Sequence, residues 1–99
     1  MQTDYPERFE RDMGCSEAEW IGWMPRAIGA HPWQQQAAQI TVALGGGRLC
    51  MSWSPLPERR IALLRMPRLL VRFAFEGVDA AGRRAFMRPF DLSLQRGGG

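Results

Sequence analysis

The stretch QITVALGGGRLCMSW, residues 39–53, decides the fold of this 99-residue chain. Apolar and polar residues alternate on both sides of its three glycines, which is typical of strands that each bury one face. Glycines between two such runs indicate a hairpin. The sequence therefore predicts that strands 39–44 and 48–53 pair antiparallel.

Burial selects the register of this hairpin. A two-residue turn at Gly46 and Gly47 puts all six large apolar side chains on one face, whereas a three-residue loop divides them between both faces. The expected partners are Ile40 with Trp53, Val42 with Met51, and Leu44 with Leu49. Two glycines suit the positive φ angles of a type I′ turn. A four-residue loop with the same pairing is also compatible with the pattern.

Two further strands are predicted after the hairpin. The loop 54–58 contains two prolines, which are expected to exclude regular pairing. Residues 59–65 are predicted as a third strand and residues 69–75 as a fourth, joined by a turn at 66–68. The expected neighbours are Ile61 with Phe73 and Leu63 with Val71.

A helix is predicted before the strands. Ser16 and Glu19 have the spacing of a capping box, and apolar residues at helical spacing follow them. These residues are Trp20, Ile21, Met24 and Ile28. Pro25 is expected to kink or break this helix near Met24, and Gly29 is expected to end it.

A second helix is predicted near the C-terminus. Asp79 is its candidate N-cap, and the helix is expected to run from Ala80 to about Arg88. Pro89 is expected to kink or end it. Phe86 and Phe90 share one helical face, which Leu94 extends if the helix continues.

These elements predict an α+β fold with an N-terminal helix, a four-stranded antiparallel meander and a C-terminal helix. The order resembles the cystatin-like arrangement in topology alone. Residues 1–14 are predicted as a flexible acidic arm, residues 15–96 as one domain and residues 97–99 as a glycine tail.

The composition is that of an ordinary globular domain, with 45% hydrophobic and 23% charged residues. No long uncharged apolar run and no signal-like N-terminus occur, so a cytoplasmic protein without membrane contact is predicted. Every basic residue is arginine. Residues 1–19 carry six acidic residues and two arginines, whereas residues 20–99 carry four acidic residues and eleven arginines. A basic body of this kind favours anionic partners.

Catalytic and metal-binding patterns are missing from the sequence. Cys15 and Cys50 lie 35 positions apart, which matches no zinc or redox motif. His31 is the sole histidine and has no local carboxylate to orient it. The glycines at 45–47 lead into a strand and not into a helix, so they do not form a phosphate cradle. We therefore expect no cofactor, no metal and no enzymatic activity.

The predicted outer sheet face is unusually apolar for a solvated surface. Its expected members are Thr41, Ala43, Cys50, Ser52, Arg60, Ala62, Leu64, Leu70, Arg72 and Ala74. Leu64 and Leu70 are expected side by side. Either the C-terminal helix covers this face, or a protein partner or second copy of the chain does. The leading hypothesis is an interaction module that contacts its partner or itself through Leu64, Leu70, Arg60 and Arg72.

Three further hypotheses concern the arginines and the tryptophans. RNA, DNA or another polyanion is the alternative partner, with Arg48, Arg65, Arg68, Arg83 and Arg84 as candidate anion-binding residues. The acidic segment 4–19 is a candidate to fold over the basic body until a partner displaces it. Trp23, His31 and Trp33 are candidates for a groove between helix and sheet.

Overall fold

A computed structural model describes residues 4–96 and shows a five-stranded antiparallel sheet with two helices. In chain order the elements are β1 (Arg8–Met13), α1 (Glu17–Ile28), β2 (Trp33–Gln36), β3 (Gln39–Leu44), β4 (Gly47–Ile61), β5 (Leu64–Glu76) and α2 (Ala80–Arg96). The strands lie side by side in the order β1-β5-β4-β3-β2. The α+β class is confirmed, and the predicted four-stranded meander is corrected to five strands.

The core lies between the sheet and both helices. Trp20 of α1 packs edge-on against Trp53 of β4 and against Phe90 of α2, at 6.2 Å between ring centroids in both pairs. Phe90 also meets Phe73 of β5 at 6.0 Å. Because Trp53 and Phe73 point to the same side of the sheet, both helices cover that side and leave the other uncovered.

The central hairpin buries the predicted face in a corrected register. The turn residues are Gly45 and Gly46, and the observed partners are Ile40 with Met51, Val42 with Leu49, and Leu44 with Gly47. A shift of two residues keeps every side chain on its face. Gly45 has a φ of 59° and Gly46 has no positive φ, as in a type II′ turn and unlike the predicted type I′.

The close packing around Gly47 explains why the turn is formed by Gly45 and Gly46 and not by Gly46 and Gly47. A Cβ atom there would collide with the backbone carbonyl oxygens of Glu76 and Gly77. Gly47 is therefore required inside the strand, where β5 passes too close for any side chain.

β4 is one long strand, so the predicted loop 54–58 and the turn at 66–68 were wrong. The turn between β4 and β5 consists of Ala62 and Leu63, so Ile61 lies opposite Leu64 and not beside Phe73. The last partner of β4 on β3 is Ser52, so the prolines beyond it lie where one edge is unpaired. Proline is tolerated at such edges and at irregularities, and one occurs between Leu56 and Arg59.

β1 corrects the prediction of a flexible arm over residues 1–14. Residues 8–13 form an edge strand paired with β5, and the Phe9 ring stacks on Phe73 at 4.6 Å. The strand was missed because Arg11 occupies an inward position, where it pairs with Asp91 of α2. Residues 1–3 and the predicted tail 97–99 lie outside the described residues.

β2 was also missed, because the sequence WQQQ holds a single apolar residue. It pairs with β3 through a turn at Ala37 and Ala38, and Ala37 adopts a φ of 54°. β2 is therefore a second edge strand of the sheet.

The capping predictions for α1 are confirmed. The Ser16 hydroxyl accepts a hydrogen bond from the Glu19 amide at 3.1 Å, and the Glu19 carboxylate accepts one from the Ser16 amide at 2.9 Å. Gly29 caps the C-terminal end with a φ of 73°.

Both helices continue through their prolines, so α1 does not break at Pro25 and α2 does not end at Pro89. A kink at either proline, the other predicted outcome, stays a prediction. Asp79 accepts a hydrogen bond from the Gly82 amide at 2.8 Å, as predicted for the N-cap of α2. A proline in a helix interior costs about 3 kcal/mol. Burial of Ile28 beyond Pro25, and of Phe90 and Leu94 beyond Pro89, offsets that cost.

Candidate binding surface

The outer face of the sheet is open across the described residues. α2 packs beside α1 on the opposite side, through the contacts of Phe90 with Trp20 and Phe73. The possibility that the C-terminal helix covers the outer face is therefore excluded.

Small side chains occupy the centre of this outer face. Thr41 lies opposite Cys50, which lies opposite Ala74 on the next strand. The charges around them are paired within the chain: Arg72 with Glu10 at 3.0 Å, Arg48 with Glu76 at 2.5 Å, and Arg68 with Asp12 at 2.5 Å. The hydrogen bond from Arg68 lowers the pKa of Asp12 below its usual value. The face thus has short side chains and little uncompensated charge.

The predicted patch of Leu64 and Leu70 does not exist. Leu64 lies opposite Ile61 near the end of the β4–β5 hairpin, whereas Leu70 lies opposite Ser54. Six residues along one strand correspond to about 20 Å. Arg60 lies with Leu64 on the hairpin, and Arg72 lies with Leu70 on the body of the sheet.

The far end of β4 and β5 is the most exposed part of the described chain. Each residue from 57 to 67 is exposed, and none belongs to the hydrophobic core. Neighbouring strands stop short of it, because β3 reaches only to Ser52 of β4 and β1 only to Leu69 of β5. We call residues 57–67 the hairpin arm.

Large apolar side chains cluster at the end of the hairpin arm. Of the five exposed large hydrophobic residues among residues 4–96, four lie between positions 61 and 66. Their exposed fractions are 54% for Ile61, 99% for Leu63, 66% for Leu64 and 42% for Met66. Because Ile61 faces Leu64 and Arg59 faces Met66 across the ladder, Ile61, Leu64 and Met66 share one side of the ribbon with Arg59. Leu63 lies in the turn beyond them.

Arginines flank this apolar end. Arg60 and Arg65 are directly opposite each other on the other side of the ribbon, a like-charge pairing that is unfavourable in isolation. Arg59 and Arg65 form no ion pair with any residue in the described range, and Arg60 lies 3.7 Å from the exposed Glu58. The arm therefore has a net positive charge, since it holds three arginines and Glu58 as its one acidic residue, although the charge of Arg59 also acts on Asp12 of β1.

The five predicted anion-binding arginines are not gathered in one place. Arg48 and Arg68 are paired with carboxylates on the sheet, and Arg84 lies 3.4 Å from Asp4. Arg83 donates hydrogen bonds to the carbonyl oxygens of Tyr5 at 2.7 Å and Val78 at 2.8 Å. Arg65 alone of the five lies on the hairpin arm.

The acidic N-terminal segment does contact the basic body. Asp4, Glu10 and Asp12 pair with Arg84, Arg72 and Arg68. Because Glu10 and Asp12 belong to β1, displacing the segment would remove a strand and the Phe9 ring from the sheet.

The three residues of the predicted groove are separated. Trp33 lines a shallow depression of about 390 Å³ on the outer face, together with Thr41, Ala43 and Arg48. His31 is exposed with its ring 5.5 Å from Phe86, and Trp23 is half-buried against the core. The depression includes neither His31 nor Trp23.

The two cysteines are free thiols in different surroundings. Burial, with a smaller effect of the Glu19 charge, raises the pKa of Cys15 to about 11. The Cys50 sulfur accepts a hydrogen bond from the Gln39 side-chain amide at 2.7 Å. Within residues 4–96, no three His, Cys, Asp or Glu side chains are grouped so that they could hold a metal ion.

No helix in the described part of the chain is long and apolar enough to cross a membrane. No protein-family model matches the chain, and no curated protein or solved structure is significantly similar to it.

Sequence reasoning missed three apolar members of the hairpin arm's surface, namely Ile61, Leu63 and Met66. A signal was present: the four consecutive apolar residues 61–64 stand between arginines and do not alternate with polar residues. Such a run fits poorly on a half-buried strand.

Proposed function

We propose that the protein is a non-enzymatic binding module whose recognition element is the hairpin arm. Its partner carries negative charge beside an apolar surface. The observation that carries the proposal is the concentration of exposed large hydrophobic side chains at positions 61–66, beside Arg59, Arg60 and Arg65.

The free energy available at this surface is sufficient for recognition. Fully burying a side chain such as Leu63 contributes about 1.5–3 kcal/mol. Apolar clusters rimmed by polar groups mark interaction sites on proteins that otherwise cover such residues. The rest of the described surface follows the usual pattern, with Leu92 as its sole large exposed hydrophobic residue.

The arginines define the partner's charge. A ligand that places anionic groups between Arg60 and Arg65 relieves the repulsion of that opposed pair. Arginine forks also match phosphate and carboxylate geometry. The alternative predicted from the sequence, binding of an anionic partner by arginines, is therefore part of this proposal. The hairpin arm, and not the whole basic body, is its proposed binding surface.

Salt-dependent retention on an anionic resin tests this proposal. The triple variant R59Q/R60Q/R65Q is compared with R8Q/R26Q/R88Q, which removes the same charge from exposed arginines of the body. We expect the arm variant to elute at clearly lower salt than the body variant, because clustered charges bind polyanions more strongly than dispersed ones. Equal elution of both variants contradicts the proposal.

Self-association through the outer face is the second candidate. Its small side chains and internally paired charges present a nearly neutral surface, which an identical copy can approach without repulsion. Sedimentation equilibrium of the parent and of an A43R/A74R variant tests it. A dimer that the variant dissociates supports this candidate, and a monomer in both samples removes it.

A further inference from the structure

We infer that the hairpin arm docks on a phospholipid bilayer that carries anionic headgroups. The inference rests on the proposed function and names its partner.

The arm is layered along its length. Leu63 is at the turn and 99% exposed, Ile61 and Leu64 come next, and Arg60 and Arg65 follow as the next opposed pair. At about 3.3 Å per residue, these arginines lie about 7–10 Å behind the tip. Segments that bind at the bilayer interface bury their apolar groups about 5–10 Å into the boundary between headgroups and acyl chains. Insertion to that depth places the apolar tip among the chains and the guanidinium groups among the phosphates.

A bilayer takes up Ile61, Leu63 and Leu64 together, and Met66 lies one ladder position behind Arg60 and Arg65. A nucleic acid duplex would bury fewer of these side chains, because an intercalating side chain occupies one base step while its neighbours stay in solvent. Binding to single strands relies on aromatic side chains for stacking. The arm, residues 57–67, contains none.

A second copy of the chain is disfavoured at this surface. Tip-to-tip contact would bring the arginines of both arms together, and like charges at close range are repulsive. Addition of a strand to the arm's open edges is hindered by Pro57 and Pro67, since proline lacks the amide hydrogen that a new ladder requires.

The depth of insertion is limited by the backbone. The outer edges of the arm are unpaired, and unpaired amide and carbonyl groups are costly in hydrocarbon. The arm is therefore expected to stop at the hydrated interface. The sequence prediction of no membrane contact was drawn from the lack of a long apolar run, which bears on crossing a bilayer and not on docking to its surface.

An environment-sensitive fluorophore reports insertion directly. In a C50S background, where Cys15 remains buried, a nitrobenzoxadiazole label is attached through A62C at the turn of the arm or through G46C at the other end of β4. Vesicles of phosphatidylcholine with about one third phosphatidylglycerol provide the anionic surface. We expect a blue-shifted, brighter emission from the label at 62 and no change from the label at 46.

Flotation with the same vesicles tests the two components of the surface. L63Q removes an apolar side chain at the tip without changing charge, and we expect it to lower vesicle partitioning about tenfold or more. R59Q/R60Q/R65Q is expected to lower it at least as much, whereas R8Q/R26Q/R88Q is expected to have a much smaller effect. Circular dichroism confirms that each variant is folded.

The outcomes separate the inference from the proposed function. Binding to pure phosphatidylcholine as strong as to anionic vesicles, or no vesicle binding at low salt, overturns the inference. If a DNA or RNA duplex binds with dependence on Leu63 while vesicles do not, the lipid partner is wrong and the hairpin arm remains the recognition element. If the resin elution of the two triple variants is also equal, the proposed function fails as well.

Discussion

At the residue scale, Asp91 joins the first strand to the last helix. Its carboxylate accepts hydrogen bonds from Arg11 at 2.5 and 2.9 Å and from the Tyr5 hydroxyl at 2.8 Å. The Arg11 guanidinium lies 5.3 Å from the centre of the Phe73 ring. The hydrogen bond with Asp91 raises the pKa of Arg11, and burial, followed by that carboxylate, raises the pKa of Tyr5.

Replacing Asp91 by Asn is therefore expected to destabilise the fold. The variant leaves a partly buried guanidinium without its counter-charge, and we expect the free energy of unfolding to fall by about 1–3 kcal/mol. Urea denaturation measures this. The control is Glu10→Gln at the exposed pair with Arg72, where a loss of about 0.5 kcal/mol or less is expected. Equal losses in the two variants would mean that the Asp91 contacts have no special role.

Cys15 makes stability depend on pH in the alkaline range. Its thiol has a pKa of about 11 in the fold against an ordinary value of 9.0. Because the folded state holds the proton more tightly, this contribution is complete below pH 9 and is lost as the pH rises toward 11. We expect the urea midpoint to fall over that range, with a further contribution from Tyr5, whose raised pKa starts from 10.0.

Variants identify the group responsible for the alkaline dependence. Cys15→Ala is expected to flatten the part of the profile that lies between pH 9 and 10, whereas Cys50→Ser is expected to keep it. A profile unchanged by Cys15→Ala would assign the dependence to other groups.

At the element scale, the three glycines of the β3–β4 hairpin have different roles. A Cβ atom at Gly47 would strike the carbonyl oxygens of Glu76 and Gly77, whereas the space around Gly45 and Gly46 is open. We expect Gly47→Ala to destabilise the protein by more than about 2 kcal/mol, since backbone must move to admit the methyl group. Gly45→Ala, at positive φ, is expected to cost about 1 kcal/mol, and Gly46→Ala very little. Urea denaturation of the three variants gives the ranking, and a larger loss at Gly46 than at Gly47 would contradict the observed register.

Local signals were readable from the sequence at this scale. The capping box of Ser16, the N-cap of Asp79 and the shared face of the central hairpin depend on residues close in sequence, and each is present in the structure. β1 was hidden because its inward Arg11 has a partner 80 positions away. The prolines led to wrong predictions of a loop in β4 and of helix ends for a similar reason. Whether a strand or helix tolerates a proline depends on its neighbours in the fold, and the local sequence pattern does not contain them.

At the scale of the whole molecule, the candidate site arises from strands of unequal length. β4 and β5 extend beyond β3 and β1, and this mismatch leaves residues 57–67 without cover. The sequence identified Arg60 and Leu64 as contact residues on a sheet face, and Arg65 as a candidate anion-binding residue. Their exposure depends on where two other strands end, which is a non-local property of the fold.

The body and the hairpin arm are expected to be separable. None of residues 57–67 belongs to the core, and Leu56 already faces Arg68 across the ladder, so an Asn-Gly turn can replace the arm at that pair. We expect the shortened protein to unfold cooperatively, with a free energy of unfolding within about 1 kcal/mol of the parent, because surface changes away from the core have small effects. Small-angle scattering should show a maximum dimension below that of the parent, whose longest principal extent is 47 Å. The same variant should lose the resin retention and vesicle binding that depend on the arm. If it failed to fold, the arm would be part of the cooperative unit, and its exposed apolar end would have to be explained by stability and not by binding.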